Sequence, residues 1–356
     1  MSSAPGWFGW LGAAPGIGRS LADHWLLILV LTVAGVGLAF VLGLLIKYLR
    51  LAVNIFLDTP LPIAVKLQDY EPPDGEVVSF PSREGRSLRG MFIDRPRGLP
   101  DRGTIVFCHE FGSDMFSAGR YAWPLVKAGY TVFTFDFRGH GRSFVPSHYE
   151  PRHWPSHLEA NDILAALAYV RGRRDTNERG VGILGVSRGA SAAVCAAAVN
   201  ADIRCLVLDG AFSTDYSIEQ LIKRWAEIFA RVNLAKAHHP DYGCRLIRAL
   251  TLFYVGLKSR CRFPSTLKAL AKLETVPALF ISGGRDTYVR PEQTRALHKV
   301  KPGTKELWIC PDAKHNQAVA IDPKTYARRV VAFFDHHLAQ DAAGASDADE
   351  VRQVAG

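Results

Sequence analysis

A chain of 356 residues with 48% apolar composition holds enough nonpolar surface for one large domain with additions, and it shows no internal repeat. Its net charge of +9 comes from scattered Lys and Arg with no nucleic-acid motif, which argues against a nucleic-acid binder and favours a membrane surface or an anionic substrate. Six cysteines, Cys108, Cys195, Cys205, Cys244, Cys261 and Cys310, lack paired spacing, which argues against a disulfide scaffold and suits small core residues in a reducing compartment.

Residues 1–24 read as a flexible tail, rich at first in Gly, Pro, Ala and aromatics. From Trp25 to Ile46 no charge occurs, and as a helix these 22 residues would span about 33 Å, enough to cross a bilayer. Trp25 and Tyr48 stand at its edges, where aromatic belts form. Lys47, Arg50 and Lys66 follow the span and only Arg19 and the α-amine precede it, so the positive-inside rule favours a cytoplasmic C-terminal domain. Residues 47–73 form a juxtamembrane linker, apolar at first and broken by Pro60 and Pro62, which is expected to lie along the interface.

Eight strand-like runs follow: Glu76 to Phe80, Leu88 to Ile93, Thr104 to His109, Thr131 to Phe135, Val181 to Val186, Ile203 to Asp209, Ala278 to Ser282 and Lys305 to Cys310. The first two form a hairpin, and helical patterns separate the rest, which is the rhythm of a parallel sheet with crossover helices. Ser156 and Glu159 form a capping box before one helix, and Pro323 to Leu338 carries a core stripe at helical spacing. Residues 211–276 interrupt the alternation with two helical stretches and an excess of basic residues, as a helical cap insertion would. Residues 339–356 have the composition of a disordered tail.

The stretch that carries chemistry is Gly185-Val186-Ser187-Arg188-Gly189, between a β-type run and an alanine-rich helix. Glycines on both sides allow a sharp turn that exposes the Ser187 hydroxyl, and the first amides of the helix face it. His148, His153 and His157 lack the Cys or carboxylate that would complete a metal site, and no glycine signature for a nucleotide occurs, so no metal or cofactor is implied.

With these residues in place, the chain from about residue 74 to 338 resembles an α/β-hydrolase, similar to the serine aminopeptidase-like and monoacylglycerol-lipase-like branch. The resemblance implies an eight-stranded, mostly parallel sheet flanked by helices. It also implies a triad in the order serine, acid, histidine. Ser187 is its nucleophile, and Asp286, in Ser282-Gly283-Gly284-Arg285-Asp286, matches the acid, with Asp209 after the sixth strand the other candidate. His315, in Lys314-His315-Asn316, matches the base, although the family usually has glycine where Lys314 stands. His109-Glu110-Phe111-Gly112 resembles the family's oxyanion loop, which assigns the backbone N–H groups of Phe111 and Arg188 to an oxyanion hole. Glu110 departs from the family pattern. It could select a cationic group on the substrate, tune His315, or pair with an arginine such as Arg188 or Arg138. Asp136 to Ser143 resembles the family's loop after the fourth strand, which braces the site without taking part in chemistry.

The function expected is a membrane-anchored serine hydrolase acting on an acyl ester or thioester of lipid origin. The alternatives are a serine peptidase of the aminopeptidase-like type and a catalytically silent, membrane-tethered binding module.

Overall fold

The computed structural model describes residues 17–58, 72–173, 180–229 and 241–339. Most of the two expected tails, and Pro60 and Pro62 with the rest of residues 59–71, lie outside these. Cα packing divides the chain into two units, Met1–Leu51 and Ala52–Gly356.

Helix α1, Ile17–Asp58, begins within the expected tail and runs past the expected span at residues 25–46. Its described residues end at Asp58. In the first unit its apolar side chains are exposed, Leu26, Leu29, Val33 and Phe40 among them. The segment His24–Leu57 is long and apolar enough to be a membrane span or a signal sequence.

The second unit opens with the last turns of α1, where Ala52, Val53 and Phe56 are buried. The Phe56 ring stacks on Trp154 at 5.4 Å and meets Phe263 edge-on at 4.9 Å, and the Trp154 indole N–H donates to the Phe56 carbonyl at 3.3 Å. This part of the expected linker is therefore core, not interfacial chain.

The sheet has the eight expected strands: β1 Glu76–Pro81, β2 Ser87–Ile93, β3 Thr104–Cys108, β4 Thr131–Phe135, β5 Val181–Val186, β6 Ile203–Asp209, β7 Ala278–Gly283 and β8 Lys305–Cys310. Their spatial order is β1-β2-β4-β3-β5-β6-β7-β8. β1 and β2 form the expected hairpin, β2 pairs antiparallel with β4, and all later pairings are parallel. Parallel neighbours require crossovers, and α2 Trp123–Ala128, α3 His157–Gly172, α4 Arg188–Ala197, α5 Thr214–Phe229, α6 Asp241–Lys258, α7 Thr266–Leu270, α8 Pro291–Val300 and α9 Pro323–Phe334 supply or decorate them.

Alternating strand residues feed two cores. On one face Val106 and Ile183 pack with Ile163 and Leu167 of α3 and with the alanines of α4, whose small side chains let that helix lie close to the sheet. On the other, Phe107 and Leu184 pack with Leu125 of α2 and with Val330 and Phe333 of α9. The capping box at the start of α3 is present, with Glu159 accepting from the Ser156 amide at 2.7 Å. The region expected as a cap contains α5 and α6, joined by an Arg248–Glu219 ion pair at 2.6 Å. All six cysteines are buried.

Candidate active site

The turn from β5 into α4 puts Ser187 at φ 51°, ψ −113°, a left-handed conformation that a residue with a side chain rarely adopts. Both flanking glycines are needed for it. A Cβ at Gly185 would lie 2.5 Å from the Ala190 Cα, and one at Gly189 would collide with the Cys108 carbonyl oxygen. The turn is pinned by the Ser187 amide donating to the Asp209 carbonyl at 2.7 Å and by the Ser191 hydroxyl donating back to the Ser187 carbonyl at 3.1 Å.

The loops after β7 and β8 bring two further residues to this serine. Ser187 Oγ lies 2.9 Å from His315 Nε2, and His315 Nδ1 lies 2.6 Å from Asp286 Oδ2. The other oxygen of Asp286 accepts the Tyr288 and Val289 amides at 2.8 and 2.9 Å, which fixes the carboxylate. These bonds make the ring present an acceptor to the serine and a donor to the acid. Lys314, on one side of His315, is exposed, and the left-handed residue of this loop is on the other side, Asn316, at φ 57°.

Asp209 is not bonded to His315. It is buried at the end of β6, and burial, reinforced by the charges of Asp286 and Glu110, pushes its carboxyl up to about 8. One of its oxygens has no hydrogen-bond partner among the described residues.

Arg188 is the first residue of α4, where the helix supplies no acceptor for its amide. The Phe111 amide lies on the loop after β3. That loop is braced from behind by His109, whose Nε2 accepts the Phe137 amide at 3.2 Å while Nδ1 meets the Glu110 carbonyl at 2.7 Å. Phe137 follows β4, so the two loops are tied together. Burial, with the neighbouring His140 adding, holds His109 well below the ordinary histidine value and keeps it neutral in this role.

Glu110 does not pair with Arg188 or Arg138, contrary to that expectation. Its side chain turns toward Ser117 and Tyr121, each 3.4 Å away, and burial raises its carboxyl above the ordinary value despite the partial offset from its own backbone amide and Arg120. The two arginines are committed elsewhere. Arg138 pairs with Asp162 at 2.6 Å and Glu84 at 3.1 Å, and Arg188 pairs with Glu159 of the capping box at 2.5 Å.

The Arg188–Glu159 pair has no counterpart in the sequence reading. Both side chains are buried, and the guanidinium also lies 5.6 Å from the Phe111 ring and 5.7 Å from that of Phe137. Its nitrogens make no well-aligned hydrogen bond, so the contact is one of charges. Burial and then this charge lower His140 to about 4 and His153 to about 3. A cleft of about 650 Å³ opens beside Phe111, lined by Gly112, His140 and residues 145–151. No group of three His, Cys, Asp or Glu among the described residues could hold a metal ion.

The chain is 31% identical to the uncharacterized protein YfhR of Salmonella typhi over 71% of its own length and 78% of that protein's. An uncharacterized Mycobacterium tuberculosis protein is 24% identical over 70% of this chain and 75% of its own. Among solved structures, the Pyrococcus furiosus esterase Pf2001 superposes with a TM-score of 0.56 at 22% identity, covering 76% of this chain and 97% of that one. The hypothetical protein PA2218 of Pseudomonas aeruginosa gives 0.55 at 18%, covering 79% and 100%. These likenesses at low identity bear on the fold. The alpha/beta hydrolase family model matches residues 105–329, a stretch that runs from within β3 to beyond β8 and holds the turn at Ser187, and the chain belongs to that family.

Proposed function

We propose that the protein is a membrane-anchored serine hydrolase that cleaves an acyl ester or thioester. The observation that carries this reading is the unbroken relay from Ser187 Oγ to His315 Nε2 at 2.9 Å and from His315 Nδ1 to Asp286 Oδ2 at 2.6 Å. Ser187 attacks the acyl carbonyl as His315 takes its proton, and Asp286 stabilises the imidazolium. The N–H groups of Phe111 and Arg188 receive the oxyanion, and donors of this kind are commonly worth about 3 kcal/mol each. His315 then returns the proton to the leaving group, and water, deprotonated by the same ring, releases the acyl group from Ser187.

Residues 25–46 form the anchor, residues 74–338 the catalytic domain on the cytoplasmic side, and residues 211–276 its cap. A substrate of lipid origin suits an enzyme tethered where such molecules reside. The esterase designation of the Pyrococcus furiosus neighbour is in keeping with ester chemistry. Covalent labelling with a fluorophosphonate tests the proposal, using the full chain in detergent with Ser187→Ala beside it. Labelling that disappears in the variant supports an activated serine. Well-folded wild type that does not label removes the hydrolase reading.

A further inference from the structure

Helix α6 is apolar on two opposite faces. Cys244, Thr251 and Val255 pack inward. About half a turn round the helix from them, Tyr242, Leu246, Phe253 and Leu257 form an exposed stripe, with Phe253 at 67% and Leu257 at 65% exposure, and Tyr254 stands beside it. Continuous apolar surface of this kind on a soluble unit marks a docking face.

Its surroundings identify the partner. From Tyr242 to Lys272 the chain has seven Lys or Arg and no Asp or Glu. Lys258 and Arg260 are exposed at the end of the stripe. Arg260 sits at φ 49° where the chain leaves α6, with the Cys261 amide bonded to the Gly256 carbonyl at 3.0 Å, a helix-ending turn that glycine usually fills. A basic side chain is kept at a position that would be less strained without one.

Continuity with α1 points the same way. The residue that ties the end of α1 into the catalytic unit, Phe56, packs on Phe263, five residues beyond Lys258. Five residues cover at most about 18 Å. In the sequence only six residues separate Ile46, where the proposed anchor ends, from Ala52, and six residues of chain reach at most about 22 Å.

We propose that the outer face of α6 docks on an anionic lipid bilayer, its aromatic and aliphatic stripe entering the headgroup region and its basic residues meeting lipid phosphates. This rests on the membrane-anchor part of the proposed function. An interfacial helix of this type sinks its apolar face about 5–10 Å, and each basic residue near the surface adds to binding.

The test uses the full chain in vesicles of phosphatidylcholine with or without phosphatidylglycerol. A fluorophore is placed on Leu257→Cys, and on Val199→Cys as the comparison, a position that is 72% exposed at the end of α4. The native cysteines are all buried, so the introduced thiol takes the label. In phosphatidylglycerol vesicles, lipid-borne nitroxide is expected to quench the label at 257 at least about threefold more than that at 199, the mark of a side chain at headgroup depth. Adding Lys258→Glu and Arg260→Glu removes most of that difference. Chain that does not float with vesicles overturns both the anchor and this inference. Chain that floats while the label at 257 is as open to aqueous iodide as that at 199 overturns this inference alone. A label shielded from iodide but not quenched from the lipid shows a second copy or another protein on the face and also overturns it. Quenching that survives both charge reversals overturns the anionic partner.

Discussion

Replacing Glu159 by Gln leaves Arg188 as a buried cation without its counter-charge. Side-chain exposure is 1% for Arg188 and 0% for Glu159, so water cannot take over. Two unit charges 2.5 Å apart attract by roughly 6–7 kcal/mol at an effective dielectric of about 20, before the cost of desolvating both. Breaking such a buried pair on one side costs about 3–5 kcal/mol. Because the Arg188 nitrogens make no well-aligned hydrogen bond, the low end of that range applies. The amide of Gln can still cap α3 through the Ser156 amide, so the capping contribution stays. For a domain of this size each kcal/mol moves Tm by about 2–4 °C, so the expected fall is about 10 °C. Thermal unfolding of the full chain in detergent, followed by tryptophan fluorescence, measures it. Arg188→Met in the same chain removes both charges and keeps the amide that faces the nucleophile, and the double variant should be more stable than Glu159→Gln alone. A shift below about 2 °C for Glu159→Gln, or a double variant that only adds the two losses, would refute the argument.

Asp286→Asn keeps an acceptor for the Tyr288 and Val289 amides but loses the charge facing His315. Its ester turnover should fall by about four orders of magnitude with Tm little changed, measured on a chromogenic ester. The Asp209 carboxyl is pushed up to about 8 in the folded chain from an ordinary value near 4. Between those values the native state holds a proton that the unfolded state has released, so this group's contribution to stability falls as pH rises from about 4 to about 8. The Tm advantage of Asp209→Asn should therefore grow from about pH 5 to about pH 8, and an advantage independent of pH would count against it. Phe56→Ala empties the space between Trp154 and Phe263 and should cost about 3–5 kcal/mol in denaturant unfolding.

The strands were legible because each is an apolar run bounded by turn residues, and β4, β5, β6 and β8 have the bounds read from the sequence. Ser187, Asp286 and His315 could be singled out because a sharp turn between glycines and the order of loops after strands are local signals, and these three residues do meet in the fold. Partnerships between distant residues were not legible. Pairing with Arg188 or Arg138 was one of the roles open to Glu110, but nothing in its own stretch shows that Glu159 and Asp162 of α3 already hold both arginines. The helix was expected to end at Ile46 but runs on to Asp58, and the burial of Phe56 near its end depends on Trp154 and Phe263, which lie far along the chain. The charge excess of residues 211–276 could be counted, but the exposed stripe of α6 emerges only when the inward face is known.

The left-handed backbone at Ser187 means that the folded chain is less stable than it could be at the residue proposed as its nucleophile. Conformations of this kind cost about 1–3 kcal/mol, and every folded molecule carries that cost whether or not a substrate is present. Glycine would adopt the same angles without it, so Ser187→Gly should give an inert protein that melts higher than the wild type. A selection for thermal resistance alone would then drift away from the proposed activity, starting at Ser187.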